Sequence, residues 1–263
     1  MSKSVVVISG APGGIGVALT RKFLEQGFQV AALDYDQEAL DKLNARMKNE
    51  VGDDIIQVNQ DLTDGDGVRA SIDRVEKDNG PIAVVVNNAA YITETGNLKR
   101  MTPEKWAIEI NVNLNGVYNL TAPVLDHMMA RGEGVMTTIA SVNGLAALGH
   151  PAYSAAKAGL IAHMQAVAIE YGPRGIRANC ILPGTVATEA WQGRMEKEPN
   201  VFEILKKWYP MGKVATPEDV AEAAWFLSSD AAKIITGIAM PVDGGLMAGN
   251  RLMAQELSQE DFS

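Results

Sequence analysis

The chain predicts an α/β fold: one domain built on a doubly wound parallel sheet of about seven strands, with helices on both faces. Three observations predict it. Short β-branched runs alternate with stretches of helical length along the first third of the chain. The runs are almost continuously apolar instead of alternating, as strands buried on both faces must be. Finally, the 263 residues contain no repeat, low-complexity tract or Pro/Gly/Ser linker, so residues 1–263 read as a single unit.

Taken in order, strands are predicted at "SVVVIS" (4–9), "QVAALD" (29–34), "DIIQVNQD" (54–61) and "IAVVVNNA" (82–89), with helices at 15–27, 37–50 and 65–79 between them. Further on, "GVMTTIAS" (134–141) and "RANCILPG" (177–184) read as a fifth and sixth strand, and "GIAMPVDGG" (237–245) as the last. Helices are predicted at 103–131, 153–171 and 216–229. In the last of these Thr216 is placed to cap, Pro217 to take the first helical position, and Glu218 and Asp219 to meet the positive end of the dipole. Two stretches fit the scheme poorly. Residues 188–212, rich in aromatics, read as a helical flap over a site, and the tail 246–263 as either a docked arm or a frayed end.

Composition narrows the function. A net charge of -9 without a basic block argues against nucleic acid and anionic membrane surfaces as partners. The single cysteine, Cys180, excludes an intrachain disulfide. The apolar run near the start is too short for a signal peptide or a membrane span, which predicts a soluble cytoplasmic protein. His127, His150 and His163 are far apart and no cysteine joins them, so no metal site is predicted.

The stretch "SGAPGGIG" (9–16) follows the first strand and opens the first helix. Gly10, Gly14 and Gly16 allow a tight turn and a close backbone approach to a pyrophosphate, and the helix N-terminus offers free N–H groups to it. The alternative is an ordinary strand-to-helix turn; the βαβ setting favours a dinucleotide. Asp34, at the end of the second strand, is placed to accept from the adenosine ribose hydroxyls and to repel a 2′-phosphate, which favours NAD over NADP. Asp36 competes with it for that role. Asp61 is placed to accept from the adenine amino group, with Leu62 beside it, or else to cap the next helix.

Together these residues resemble the short-chain dehydrogenase/reductase family, along nearly the whole chain. The family's Thr-Gly-x-x-x-Gly-x-Gly is matched with Ser9 in place of threonine, and its Asn-Asn-Ala-Gly by Asn87 to Ala90. Its catalytic Asn, Ser, Tyr and Lys are matched by Asn113, Ser141, Tyr153 and Lys157, and its Pro-Gly-x-Val-x-Thr by Pro183, Gly184, Val186 and Thr188. Pro12 in the glycine turn and Ala90 depart from the pattern, and Pro12 removes one N–H donor.

The resemblance implies a Rossmann-fold oxidoreductase, acting on CH–OH groups and using NAD by the argument from Asp34. Tyr153 and Lys157, four apart on a helix, share a face, so a nearby ammonium, together with the positive charge of an oxidised nicotinamide, is expected to lower the tyrosine pKa. Tyr153 then takes the hydroxyl proton of an alcohol, or returns one to a forming alkoxide. Ser141 holds the substrate oxygen. The resemblance further implies that Lys157 binds the nicotinamide ribose and that Asn113 holds a water for proton exit. It places Val186 and Thr188 at the carboxamide, Ile15 near the nicotinamide, and Asn88 and Ala89 along the adenosine side.

Substrate contacts are sought at Asn143, His150, Trp191 and Arg194. A turn histidine and a self-packed flap, whose aromatics include Trp208 and Tyr209, are the competing readings. Arg251 is a further candidate for an anionic group. Secondary alcohols and sugar hydroxyls are the favoured small-molecule substrates. A 3-oxoacyl-type reductase and a non-catalytic NAD-binding sensor are the alternatives. The apolar surface of helices 103–131 and 153–171, together with the resemblance, implies a homotetramer.

Overall fold

The computed structural model describes residues 4–52 and 55–261. The chain forms one seven-stranded sheet, β1 (Val5–Ser9), β2 (Gln29–Asp34), β3 (Ile56–Asn59), β4 (Ile82–Asn87), β5 (Gly134–Ile139), β6 (Ile176–Pro183) and β7 (Ala239–Val242). All strands are parallel, in the order β3-β2-β1-β4-β5-β6-β7. The order reverses between β1 and β4, which opens a crevice beyond their C-terminal ends.

Strand β1 shows why the apolar runs are continuous. Val5 and Val7 enter one core, whereas Val6 and Ile8 enter the other. The first core is closed by α3 (Gly65–Asn79), α5 (Gly116–Arg131) and α6 (Pro151–Tyr171); Val68, Ile72, Leu120, Leu160 and Met164 point into it. The second is closed by α1 (Gly14–Glu25), α2 (Gln37–Glu50) and α9 (Pro217–Ser228). There Phe23, Phe28 and Trp225 meet edge-on, with ring centroids 5.5 to 6.1 Å apart.

The helices start where short polar side chains can cap them. Asp36 accepts from Ala39 N–H, Asp64 from Gly67 N–H and Thr102 from Lys105 N–H. Thr216 and Asp219 form a reciprocal capping box at the head of α9.

Several boundaries differ from the sequence expectation. Residue 54, the first of the expected third strand, lies outside the described residues. That strand stops at Asn59, because Asp61 folds back in a local turn, accepting from the N–H and the hydroxyl of Thr63. Asp61 therefore neither ends the strand nor caps α3, whose cap is Asp64. The single helix expected over 103–131 is α4 (Pro103–Ile110) and α5, joined by a π-helical turn over Asn111–Asn115. Residues 188–212 form the short helices α7 (Gln192–Lys197) and α8 (Val201–Lys206). The tail carries α10 (Arg251–Ser258), with Leu252, Met253 and Leu257 exposed; its last residues, 262–263, lie outside the described ones. Among the described residues no helix is long and apolar enough to cross a membrane.

Candidate active site

A crevice of roughly 1410 Å³ runs along the C-terminal ends of the strands, from Asp34 and Asp61 at one end to Trp191 and Arg194 at the other. Its floor is set by the turn after β1. Gly10 has φ +62°, a conformation that disfavours side chains, and a Cβ there would stand 2.7 Å from the Ala89 Cα. A Cβ on Gly16 would stand 2.2 Å from the Gly10 carbonyl oxygen, so this glycine closes the turn from inside and is not part of the crevice wall. Gly14 gives the same freedom toward Thr188, whose Cβ a side chain would approach to 2.8 Å. The turn is stitched to β4. Ser9 Oγ accepts from the N–H groups of Asn88 and Ala89, and the Asn88 amide donates to the carbonyls of Ser9 and Gly10. Helix α1 starts at Gly14 with no side-chain cap on its first N–H groups. A glycine-rich turn, facing an uncapped helix N-terminus, fits a pyrophosphate. Pro12 and Ile15 also line it.

Asp34 lies in the crevice next to Asp36 and accepts from the Asp36 N–H. Burial, together with the Asp36 charge, holds its carboxyl above the usual value, and the backbone hydrogen bonds from Asp36 and Tyr35 oppose that shift. Asp61, Leu62, Asn88 and Ala89 line the same end.

At mid-crevice, Ser141 follows β5, and Tyr153 and Lys157 lie one turn apart on α6. Pro151 at the first position of α6 needs no N–H partner, which sets the helix start just ahead of Tyr153. The Ser141 hydroxyl donates to the Asn143 amide oxygen at 3.3 Å and accepts from the Asn143 N–H at 3.1 Å. Lys157 is fully buried and donates to the Ile139 carbonyl at 2.8 Å; its Nζ lies 5.4 Å from the Tyr153 ring centroid. In the protein alone, burial sets the titration of this pair. Burial pushes the Tyr153 phenol up to about 12; the Ser141 hydroxyl opposes this and the Glu109 charge adds to it. Burial likewise lowers Lys157 to about 8. Desolvation is the largest cause at both groups, and the Lys157 ammonium donates to a backbone carbonyl and not to the phenol.

Asn113 is fully buried in the π-helical turn and does not line the crevice. Its amide donates to the carbonyls of Tyr91 (2.6 Å) and Glu109 (2.8 Å), and its oxygen accepts from Tyr91 N–H. Pro183, Gly184, Val186 and Thr188, after β6, form the wall opposite the glycine turn.

The substrate candidates divide. Asn143 borders the crevice, but its amide already donates to the Gly149 carbonyl and the Ser154 hydroxyl. His150 heads α6 with φ +51° and its backbone N–H on the Gly96 carbonyl, so it is a turn residue that also lines the crevice. Trp191 packs on Phe202, and Arg194 stacks over Trp191 at 5.3 Å; the flap is thus self-packed while both residues reach the crevice. Tyr209 is buried, and its hydroxyl accepts from Thr185 N–H, tying the flap to the wall after β6. Trp208 and Arg251 do not reach the crevice. Sequence reasoning missed Glu109, Tyr91 and Ile92. Glu109 has a visible signal, a lone acid in the apolar run "WAIEI" one turn before Asn113.

Comparison with known proteins agrees with this geometry. Residues 10–247 match the family described as Enoyl-(Acyl carrier protein) reductase. An uncharacterized oxidoreductase of Schizosaccharomyces pombe is 40% identical over 258 residues, covering 98% of this chain and 96% of that protein. A 3-oxoacyl-(acyl-carrier-protein) reductase of Chlamydia muridarum is 34% identical over 241 residues, covering 91% and 96%. Among solved structures, an oxidoreductase of the short-chain dehydrogenase/reductase family from Burkholderia thailandensis superposes with a TM-score of 0.92 at 48% identity, over the full length of both chains. A gluconate 5-dehydrogenase from Burkholderia cenocepacia, in complex with NADP and tartrate, gives 0.87 at 30% identity, covering 95% and 97%.

Proposed function

Since the chain belongs to the short-chain dehydrogenase/reductase family, we propose that it is an NAD-dependent dehydrogenase that oxidises a secondary alcohol or a sugar hydroxyl, or reduces the corresponding carbonyl. The observation that carries this reading is the placement of Tyr153, lining one crevice with Ser141 and one turn from buried Lys157, where that crevice also has a pyrophosphate-shaped end. When bound, a nicotinamide dinucleotide supplies a hydride acceptor or donor.

The chain's own residues do the rest. Gly10 and Gly14 bring backbone to the phosphates, Gly16 closes their turn from inside, and Ile15 packs near the nicotinamide. Asp34 takes the adenosine ribose, with Asp61, Leu62, Asn88 and Ala89 along the adenosine. Pro183, Gly184, Val186 and Thr188 hold the other end. Ser141 fixes the substrate oxygen against the Tyr153 hydroxyl, between which the proton then moves. The ammonium of Lys157, beneath the ring, opposes the burial that keeps Tyr153 a phenol. Asn113 acts from behind, by holding Tyr91. Trp191, Arg194 and His150 border the substrate end.

Asp34 supports NAD, because a carboxylate at the ribose repels a 2′-phosphate. A second reading, a 3-oxoacyl-type reductase, is favoured by the Chlamydia relative, and the NADP in the gluconate 5-dehydrogenase structure leaves cofactor choice to experiment. The test is turnover of aldoses, polyols, hydroxy acids and 3-oxoacyl thioesters, each with NAD and NADP in the appropriate redox state, with Tyr153→Phe as the blank. NAD-selective oxidation of one alcohol class, abolished in Tyr153→Phe while the cofactor still binds, is expected. Activity retained in Tyr153→Phe would overturn the proton-transfer role. Selective reduction of thioesters with NADPH would replace the first reading by the second.

A further inference from the structure

The charged side chains that line the crevice are sorted along its length. Its acids are Asp34, Asp36 and Asp61, all at the adenosine end. Among the described residues no other carboxylate lines it, and its basic groups are Lys157, Arg194 and the imidazole of His150. Lys157 is buried and donates to the Ile139 carbonyl. That leaves Arg194, on α7, as the permanent charge at the end away from the acids.

Arg194 could serve only to hold the flap together, but its contacts do not use it up. The guanidinium lies 5.3 Å from the Trp191 ring centroid, and the Trp191 ring packs on Phe202 at 5.5 Å. Stacking engages the face of a guanidinium and leaves its in-plane N–H groups to acceptors at the edge. One of them reaches Glu198 at 3.5 Å, the outer limit of a hydrogen bond, between side chains 53% and 42% exposed. An exposed pair this long contributes little, and Glu198 does not line the crevice. The guanidinium is thus oriented by an aromatic ring and only weakly paired. The chain as a whole carries a net charge of -9 and repels anions, so a cation at this point selects locally for one.

We propose that Arg194 is a substrate-binding residue, and that the substrate carries an oxyanion, a carboxylate or a phosphate, besides the hydroxyl or carbonyl that reacts. The inference rests on the dehydrogenase reading of the crevice and narrows its substrate class. The planar fork of N–H donors matches two oxygens of such a group. A grip on that remote group orients the reacting carbon toward Tyr153. Neutral polyols and free sugars are then poor substrates.

The experiment measures binding without turnover. Full-length Tyr153→Phe, saturated with NAD or NADH as each compound requires, is titrated calorimetrically with matched pairs. 3-Hydroxybutyrate is set against its methyl ester, gluconate against glucitol, and acetoacetyl-CoA against the phosphate-free thioester of N-acetylcysteamine. At least one anion should bind roughly tenfold or more tighter than its neutral partner. The first two pairs report a carboxylate, the third a phosphate. Adding Arg194→Met should abolish the preference, and Arg194→Lys, which keeps the charge without the fork, should restore part of it. Lys197→Met, which removes a charge from the same helix outside the crevice, should leave the preference in place. Neutral partners binding as tightly as the anions, no member of any pair binding, or a preference that survives Arg194→Met overturns the proposal. So does a loss of cofactor affinity in Arg194→Met, which would put the guanidinium on the cofactor phosphates instead. Anion binding that depends on Arg194, with no turnover of the same compounds by the wild type, would sink the dehydrogenase reading and leave the anion site standing. Wild-type turnover of neutral alcohols alone would do the reverse.

Discussion

Lys157 shows what the site costs the fold. It is completely buried, with a single backbone acceptor, and burial brings it down to about 8 from its ordinary 10.5. Between those values the unfolded chain binds the extra proton and the folded one does not. Stability contributed by this group therefore rises as the pH climbs from about 8 toward 10.5, and below that window the folded state bears the full charge. Lys157→Met should melt at or above the wild-type temperature at pH 7, with the difference shrinking through that window, while turnover is lost. Calorimetry across pH checks this, and a lower melting temperature at neutral pH would show that the bond to Ile139 outweighs desolvation. At this scale the meeting of Ser141, Tyr153 and Lys157 on one crevice was legible from their order in the chain, but the burial around Tyr153 was not. A motif says which groups are adjacent; it does not say how much solvent they have lost or where a lysine's proton points.

Among the elements, the helix starts were the most readable, because the caps are local chemistry. Thr216, Pro217 and Asp219 stand in the structure as the sequence read them. Thr216→Ala removes both the hydroxyl acceptor and its exchange with Asp219, and should cost about 1 kcal/mol of stability without changing cofactor affinity. Chemical denaturation beside a cofactor titration separates the two effects. Strand β3 and the π-helical turn were less readable for one reason: each is decided by side-chain bonds that compete with the backbone ladder. Asp61 takes the Thr63 N–H in a local turn, past the early end of the strand at Asn59. Asn113 reaches the Glu109 carbonyl inside a helix whose apolar pattern looks uninterrupted. Such turns occur often at functional sites, and no periodicity announces them.

The whole molecule leaves several large apolar side chains in water, among them Trp106, Ile108 and Tyr118 on α4 and α5, and Ile169 on α6. Surfaces of this kind mark contact with other molecules, and the family is typically oligomeric. We expect a homotetramer paired through these helices. Light scattering coupled to size-exclusion chromatography decides it, and a stable monomer at micromolar concentration would refute the pairing. The domain and its sheet were legible because continuous apolar strands admit few other packings; the partner surface was legible only as an excess of apolar residues. The parallel sheet has a last consequence. Since every strand runs the same way, the segments that leave the strands build the crevice, while those that enter them lie at the far rim. Insertions or drift after β4, β5 or β6 change what the protein accepts and leave the scaffold intact; the same changes at the other rim alter only whether it stands. Ancestry is thus recorded in the frame and diet in one set of loops, which is how relatives sharing a third of their residues can keep the architecture and differ in trade.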